Sequence, residues 1–207
     1  MKRECRKSKM EEELIQRKKS LRKEMLQMRR SLPNEVRLSE SKSVCQHILM
    51  SEYYRKSDVI MCYISLKEEV GTLSFIQQAL TDGKKICVPF VKDKTGIMVA
   101  AYIHDLSDLV CGEFNILAPN SDRICLVTPK DIKLILLPGV AFDHVGHRLG
   151  MGLGFYDRFL VEVSSARLIA LAFSCQIISH VPSEQHDYLM NYIVTKDGII
   201  DCEAGKI

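Results

Sequence analysis

The stretch LLPGVAFDHVGHRLGMGLGFYDRFL, from Leu136 to Leu160, decides the fold of this chain. Its first residues complete an apolar segment typical of a β-strand, which breaks at Pro138-Gly139. A turn and a glycine-rich loop follow, and a helical pattern begins near Phe155. The stretch therefore predicts a strand, a glycine-rich loop and a helix in succession, a unit typical of α/β proteins.

The composition of the loop favours binding of an anion. Gly150, Gly152 and Gly154 stand at alternate positions, and glycine lets backbone N–H groups approach a ligand closely. Arg148 adds a forked cationic donor that suits phosphate oxygens, and Asp157 can hold a magnesium ion that phosphates also bind. The loop matches neither G-x-G-x-x-G nor G-x-x-x-x-G-K-[ST], so a tight connection without a ligand is the alternative.

Length and composition indicate one domain. The chain has 207 residues, of which 46% are hydrophobic and 27% charged, as in ordinary globular proteins. Strand-like segments alternate with helical patterns, which predicts an α/β fold: a single three-layer αβα domain over residues 1–207, with a mainly parallel sheet. We expect residues 1–12 to be a flexible basic N-terminus. The N-terminus lacks the apolar core of a signal peptide, and no apolar run is long enough to span a membrane, which favours a cytoplasmic protein.

The periodicity of apolar residues predicts the individual elements. Helices are expected at residues 10–30, 34–54, 73–80 and 155–163. Strands are expected at residues 59–65, 85–91, 97–103, 132–137, 168–173 and 192–195. A turn-rich connection, KDKTG, joins the second and third strands, and residues 104–130 are predicted to be a loop with short elements. The eight cysteines form no C-x-x-C pair, which predicts reduced thiols in the core rather than disulfides or zinc.

The positive charge is concentrated at the start of the chain. Residues 1–30 contain twelve Lys or Arg and five Glu, a net charge of +7, which leaves −4 for the remainder of a chain whose total is +3. Lys18 and Arg22 are four residues apart on the predicted helix, so they project together and can grip a phosphate chain. Binding of nucleic acid or of an anionic membrane, and a merely solvated helix face, are the alternatives.

Several separated segments together resemble one known family. They are KKSLRKEM from Lys18, SLKEEVGT from Ser65, the long glycine-loop stretch, ALAFSCQ from Ala170 and VPSEQHD from Val181. Their order and spacing resemble the 5-formyltetrahydrofolate cyclo-ligases, also called 5,10-methenyltetrahydrofolate synthetases, over nearly the whole chain. The long motif is the specific part of this resemblance, because the basic helix alone is common to many proteins.

The resemblance implies an enzyme, a ligase that forms a C–N bond. Such an enzyme uses ATP as co-substrate and Mg²⁺ as cofactor to convert 5-formyltetrahydrofolate to 5,10-methenyltetrahydrofolate, releasing ADP and phosphate. Phosphorylation of the formyl oxygen activates the formyl carbon, which N10 of the folate then attacks. The implied partners are therefore 5-formyltetrahydrofolate and ATP, with no membrane, and the chain is expected to be a monomer or a homodimer.

The resemblance also implies roles for individual residues. Arg148 and Tyr156 are the expected catalytic residues, and Asp157 and Asp187 the expected metal ligands. Contacts to the folate are expected from Ile64, Glu69 and Tyr156. Contacts to ATP are expected from Lys18, Arg22, Arg148, Gly150, Gly152, Gly154 and Tyr156.

Two alternatives to the enzyme follow from the same sequence. Met151, Leu153, Cys175 and Asn191 depart from the residues common in the family, so a folate-binding relative without catalysis is one of them. A nucleic-acid-binding protein that uses residues 1–30 is the other. The small net charge outside this segment and the lack of a recognised RNA or DNA motif argue against a nucleic-acid partner.

Overall fold

The computed structural model describes residues 2–91, 97–112, 117–121, 124–163, 165–184 and 187–204, with side chains from Met10 onward. The helices are α1 (Lys2–Ser31), α2 (Asn34–Met50), α3 (Glu52–Arg55), α4 (Leu73–Thr81) and α5 (Phe155–Leu160). The strands are β1 (Val59–Cys62), β2 (Lys85–Val91), β3 (Met98–Ile103), β4 (Leu109–Cys111), β5 (Leu117–Pro119), β6 (Leu134–Leu137), β7 (Ala141–Asp143), β8 (Arg148–Leu149), β9 (Arg167–Leu171), β10 (Ile177–Ile178), β11 (Tyr192–Thr195) and β12 (Gly198–Asp201).

A seven-stranded sheet forms the centre of the protein, in the order β12-β11-β9-β6-β1-β2-β3. The four inner pairings are parallel, whereas β12 and β3 pair antiparallel at the two edges. The predicted α/β fold with a mainly parallel sheet is therefore confirmed.

Alternate residues of the inner strands face two separate cores. In β6, Leu134 and Leu136 belong to a core that also contains side chains of α2 and α4. Ile135 and Leu137 belong to a second core on the opposite face, which contains Phe159 of α5. Because both faces are covered, the strand is apolar at every position. Helix layers on both faces of one sheet give the three layers predicted from the sequence.

Helix α1 packs on a smaller sheet instead of the central one. Strands β10, β7 and β8 form this three-stranded sheet. Met25 of α1 is buried against Ala141, Leu149 and Val181, in a third core. The glycine loop follows β8 directly, so the packing of α1 on this sheet places the basic helix beside the loop.

The order of the strands creates a crevice at one edge of the central sheet. Strands β1 and β6 are parallel neighbours, but the chain continues from β1 to β2 on one side and from β6 to β9 on the other. The segments after β1 and β6 therefore separate at the carboxyl ends of the strands. Open α/β sheets bind their ligands at such a point.

The structure differs from the sequence predictions mainly at the ends of elements. The predicted helix at residues 34–54 is divided at Ser51, whose extended backbone stops α2 and whose hydroxyl accepts the Tyr54 N–H to start α3. Strand β12 was not predicted, because a half-exposed edge strand lacks the continuous apolar run of a buried one. Helix α1 begins at Lys2 rather than near Met10, and the flexible character of residues 1–12 stays a prediction.

Other predictions are confirmed in part. The seven cysteines whose side chains the structure describes are free, and Cys45, Cys62, Cys87 and Cys202 are buried as predicted. Cys111 and Cys125 are exposed, so the expectation of core thiols is wrong for these two. The KDKTG connection lies outside the described residues. No helix in the described ranges is long and apolar enough to cross a membrane.

Candidate active site

The segment after β1 is folded back by a buried threonine. The Thr72 hydroxyl donates to the Tyr63 carbonyl at 2.7 Å and accepts the Ser65 N–H at 3.1 Å. Thr72 is fully buried, so these bonds have little competition from water. Within the turn that these bonds close, the Leu66 N–H donates to Glu69 Oε2 at 2.9 Å. The carboxylate of Glu69 is thereby fixed beside the carboxyl end of β1.

Burial raises the pKa of Glu69, and the neighbouring Glu68 carboxylate raises it further. The Leu66 N–H and the charge of Arg29 act in the opposite direction but do not cancel the effect of burial. Glu69 is thus a partly buried carboxylate at a strand end, where it can accept hydrogen bonds from a ligand. Ile64, in the segment that leads from β1 to Glu69, is partly buried against the first core.

Arg148 lies at the start of β8 with its side chain only 6% exposed. Its Nη2 donates to Asp157 Oδ1 at 3.0 Å, and its Nη1 donates to the Pro138 carbonyl at 3.3 Å. Its Nε is buried without a hydrogen-bond partner in the described part of the chain. The guanidinium group also lies over the ring of Tyr156, 5.5 Å from the ring centre. A buried cation with a spare donor is suited to receive an anionic group.

Tyr156 connects the arginine to the carboxylate. Burial raises the pKa of Tyr156 far above its ordinary value, the charge of Glu69 raises it further, and Arg148 opposes both. The phenol is therefore neutral at physiological pH and acts as a hydrogen-bond donor or an apolar wall rather than as a base. The charges of Arg148 and Glu69 both influence the pKa of the same phenol, so the glycine loop and the segment after β1 come together near Tyr156.

The glycine loop lies against α1. Arg22 Nε donates to the Gly150 carbonyl at 2.8 Å. Gly152 has φ of +94° and Gly154, the residue before α5, has φ of +66°, a region of backbone conformation that favours glycine. A Cβ atom on Gly152 would lie 3.2 Å from Arg22 Cζ, so the arginine side chain would have to shift slightly to admit a larger residue there. Helix α5 has only six residues, shorter than the predicted 155–163.

Lys18 forms two ion pairs with carboxylates of the segment after β10. Its Nζ lies 2.8 Å from Glu184 Oε2 and 2.8 Å from Asp187 Oδ2. Burial lowers the pKa of Lys18, but the bonds to Asp187 and Glu184 more than offset this and raise it. Lys18 and Arg22 thus contact two different segments, Lys18 the one after β10 and Arg22 the glycine loop, and their joint contact with a phosphate chain stays a prediction.

Both predicted metal ligands are paired with predicted phosphate-binding cations. Asp157 bonds Arg148, and Asp187 bonds Lys18. In the described residues, no group of three or more His, Cys, Asp or Glu side chains is placed to hold a metal by itself. A metal ion here would therefore need ligands from a bound substrate, which is how Mg²⁺ commonly binds beside phosphates.

Asp143 stabilises the turn before the loop and was not singled out by the sequence. The carboxylate is 1% exposed and accepts backbone N–H groups of Val145, His147 and Val181 at 2.9–3.1 Å. The ring Nδ1 of His147 lies 2.9 Å from the same carboxylate. Burial raises the pKa of Asp143, but these hydrogen bonds and the His147 ring outweigh burial and lower it overall.

Arg29 is a second residue that the sequence did not single out. It lies on α1, it is 3% exposed, and its Nη1 donates to the Gly139 carbonyl at 3.2 Å. Its spacing of eleven residues from Lys18 is three helical turns, which is the signal that could have found it. Arg148 and Arg29 thus bond the consecutive carbonyls of Pro138 and Gly139.

Residues 14–196 match the sequence model of the 5-formyltetrahydrofolate cyclo-ligase family. The chain belongs to this family. The family and the ligase class predicted from the sequence are thereby confirmed. The match extends from the middle of α1 to the residue after β11, so it includes the whole candidate site.

Named cyclo-ligases resemble the chain over most of its length. The mitochondrial 5-formyltetrahydrofolate cyclo-ligase of Arabidopsis thaliana is 30% identical over 190 residues, which cover 80% of this chain and 69% of the relative. The Haemophilus influenzae cyclo-ligase is 31% identical over 150 residues, covering 70% and 80%. The solution structure of the Aquifex aeolicus 5,10-methenyltetrahydrofolate synthetase superposes with a TM-score of 0.80 at 30% identity, covering 91% of this chain and 94% of that one.

The departures from the usual cyclo-ligase residues lie at different distances from the site. The Asn191 side chain accepts the Leu168 N–H at 2.8 Å and donates to Glu203 at 2.7 Å, near the beginning of β9 and away from the carboxyl ends of the strands. Its role is therefore structural. Met151 and Leu153, by contrast, are 56% and 66% exposed on the loop itself.

We predict that Asp143→Ala lowers the free energy of unfolding by about 3 kcal/mol, because several buried donors lose their acceptor. The low pKa of Asp143 in the folded state makes this contribution complete above the unfolded value of about 3.9. The contribution is lost as the pH falls through the folded value. Denaturant titrations at pH 7 and at acid pH should therefore show a gap between wild type and variant that narrows with acid.

Asp105→Ala is the control for this prediction. Asp105 also accepts a backbone N–H, from Ser107 at 2.8 Å, but it is exposed. A smaller loss of stability is expected for it. Equal losses for the two variants would contradict the role assigned to burial at Asp143.

Proposed function

We propose that the protein is a 5-formyltetrahydrofolate cyclo-ligase that closes the folate ring at the expense of ATP. The observation that carries this proposal is the position of Tyr156, whose ring lies under the buried guanidinium group of Arg148 and whose pKa is raised by the partly buried carboxylate of Glu69. A site for phosphate and a site for a hydrogen-bonding organic ring are thereby adjacent. Phosphoryl transfer between two bound substrates requires such proximity.

We propose that ATP binds along the glycine loop, with its phosphates facing α1. Arg148, Lys18 and Arg22 supply three cations around the loop, and all three now bond protein oxygens that phosphate oxygens would replace. Gly150, Gly152 and Gly154 leave room for close approach of a phosphate to the backbone. Charge-assisted donors of this kind stabilise the spread negative charge of a transferring phosphoryl group.

We propose that Mg²⁺ is held by Asp157 and Asp187 together with phosphate oxygens. Carboxylate oxygens are ligands that Mg²⁺ prefers, and the partly exposed Asp157 carboxylate is accessible from the loop. When bound, the ion neutralises phosphate charge. Arg148 and Lys18 then release their carboxylates and turn to the phosphates, so each charged group keeps a partner of opposite sign.

We propose that the folate occupies the crevice between the segments after β1 and β6. Glu69 accepts hydrogen bonds from the N–H groups of the folate ring, and Ile64 and Tyr156 form apolar walls. The position of this crevice, at the strand ends where the chain changes direction, supports this assignment.

The proposed reaction needs no covalent enzyme intermediate. The γ-phosphoryl group moves from ATP to the formyl oxygen, breaking the bond to ADP. N10 of the folate attacks the activated formyl carbon, loses its proton, and the oxygen leaves as inorganic phosphate. Arg148 stabilises the phosphoryl charge during transfer, while Tyr156 holds the ring against it. The enzyme therefore acts by positioning and electrostatic stabilisation.

Turnover tests the proposal directly. We expect purified protein with 5-formyltetrahydrofolate, ATP and Mg²⁺ to form the methenyl product, followed by its absorbance. Arg148→Met should lower kcat about 100-fold or more, because a donor to the developing charge is lost. Arg55→Met, at an exposed arginine of α3, is the matched control and should retain full activity. Folded wild type that forms no product would instead support the folate-binding relative without catalysis.

A glycine pair tests the place of ATP. Gly152→Ala and Gly83→Ala both put alanine at positive φ, +94° and +79°, and each should lose about 1 kcal/mol or more of stability. A Cβ atom meets Arg22 at Gly152 but no atom within 4 Å at Gly83. We therefore expect ATP affinity, measured by calorimetry, to fall about tenfold only in Gly152→Ala. A similar loss in both variants would contradict binding at the loop.

A magnesium titration tests the metal site. Asp157→Asn keeps the size of the side chain but removes its charge, so we expect the Mg²⁺ concentration for half-maximal turnover to rise at least about tenfold. Asp131→Asn, at an exposed position, is the control. An unchanged magnesium requirement in Asp157→Asn would exclude this residue as a ligand. The cytoplasmic location and the choice between monomer and homodimer stay predictions.

A further inference from the structure

Arg29 is a buried cation that the proposed reaction does not use. Only 3% of its surface is exposed, although arginine is rarely buried without a compensating partner. Its Nη1 bonds a neutral carbonyl, that of Gly139, and its Nε has no hydrogen-bond partner in the described part of the chain. The charge of this guanidinium group therefore has to be balanced from within the protein or by a ligand.

Arg29 and Glu69 line the same narrow crevice. Arg29, Tyr63, Glu69, Gly139 and Gln176 all line it, together with apolar residues of the first core. Gln176, itself buried, donates to the same Gly139 carbonyl at 2.8 Å, so this carbonyl is held from two sides. The crevice thus has a fixed cation on the side of α1 and a carboxylate on the side of β1.

Few charges compete with Arg29 for Glu69. The groups that face the Glu69 carboxylate are Arg29 from α1, the phenols Tyr63 and Tyr156, and Glu68 from its own segment. Both phenols are neutral at physiological pH because burial raises their pKa values. Glu68 is like-charged and is paired with Arg30 in solvent. Among these groups, Arg29 is thus the cation that lowers the pKa of Glu69.

We propose that Arg29 is a positioning residue for the substrate pocket, whose buried guanidinium group is the counter-charge of the Glu69 carboxylate and keeps it ready to accept hydrogen bonds from the folate ring. This inference rests on the proposed function, because it assigns Glu69 to the folate. Arg29 acts through Glu69 and through the Gly139 carbonyl, next to the Pro138 carbonyl that Arg148 bonds.

The first test uses the protein without any substrate. A ¹³C NMR titration of glutamate-labelled protein, with the Glu69 signal assigned by its loss in Glu69→Gln, measures the pKa of Glu69 directly. We expect Arg29→Met to raise this pKa by about one unit or more, since a nearby opposite charge is removed. Arg29→Lys, which keeps the charge, should largely restore the wild-type value. Arg30→Met, at the adjacent exposed arginine, is the matched control and should have a much smaller effect.

The second test measures binding of 5-formyltetrahydrofolate by calorimetry between pH 5 and pH 8. Affinity should fall at acid pH as Glu69 is protonated, and this fall should move to higher pH in Arg29→Met by the same amount as the pKa. The fall should be reduced in Glu69→Gln, which has no charge at this position to lose. Arg29→Gln serves in place of Arg29→Met if circular dichroism shows that the latter is unfolded.

The outcomes separate this inference from the proposed function. A folded Arg29→Met protein with an unchanged pKa of Glu69, or with affinity lowered equally at every pH, would overturn the inference and leave Arg29 a purely structural residue. Wild type that binds no 5-formyltetrahydrofolate at any pH would overturn the proposed function instead. The NMR titration would still decide whether Arg29 and Glu69 are coupled.

Discussion

The site depends on the docking of one face of α1. On this face, Arg22 lies four residues and Arg29 eleven residues after Lys18. The three side chains therefore span about 16 Å at the rise of an α-helix. Each bonds a different segment: the loop that carries Glu184 and Asp187, the carbonyl of Gly150, and the carbonyl of Gly139. The helix therefore joins three segments that each lie more than a hundred residues after it in the chain, while Met25 of the same helix is buried in the core below them.

This arrangement also gives the charge asymmetry of the sequence a physical reason. A helix that ties together loop carbonyls and carboxylates needs donors that carry charge, since such bonds are stronger than neutral ones. The excess of basic residues in residues 1–30 thus includes cations that point inward, and does not by itself indicate a nucleic-acid surface. Lys18 and Arg22 bond protein oxygens in the structure, so in the proposed function the phosphates of ATP would replace these oxygens as partners of the two cations.

The sequence predicted the elements well wherever one physical signal dominated. Strands whose interiors are buried on both faces form nearly continuous apolar runs, so β2, β6 and β11 were located closely, and the glycine loop was recognisable from spacing alone. Arg29 was missed because its burial depends on the loop after β6, more than a hundred residues away in the chain. Asp143 was missed for a similar reason, because one of its donors, the Val181 N–H, comes from a distant segment. The raised pKa of Glu69 could not be predicted from the sequence either, since it depends on burial and on the charge of Arg29 in α1, which is remote in sequence.

The two halves of the site are mechanically linked through two consecutive peptide carbonyls. Arg148 bonds the carbonyl of Pro138 and belongs to the half that faces the glycine loop, whereas Arg29 bonds the carbonyl of Gly139 and belongs to the half that faces Glu69. Gly139 is itself constrained, because a Cβ atom there would lie 2.3 Å from the ring of Phe142. A shift of Arg148 toward a phosphate would therefore disturb the Pro138-Gly139 turn, which Arg29 also bonds. In the proposed phosphoryl transfer between two bound substrates, this shared support would hold the two binding sites at a fixed distance and orientation, which catalysis by positioning requires.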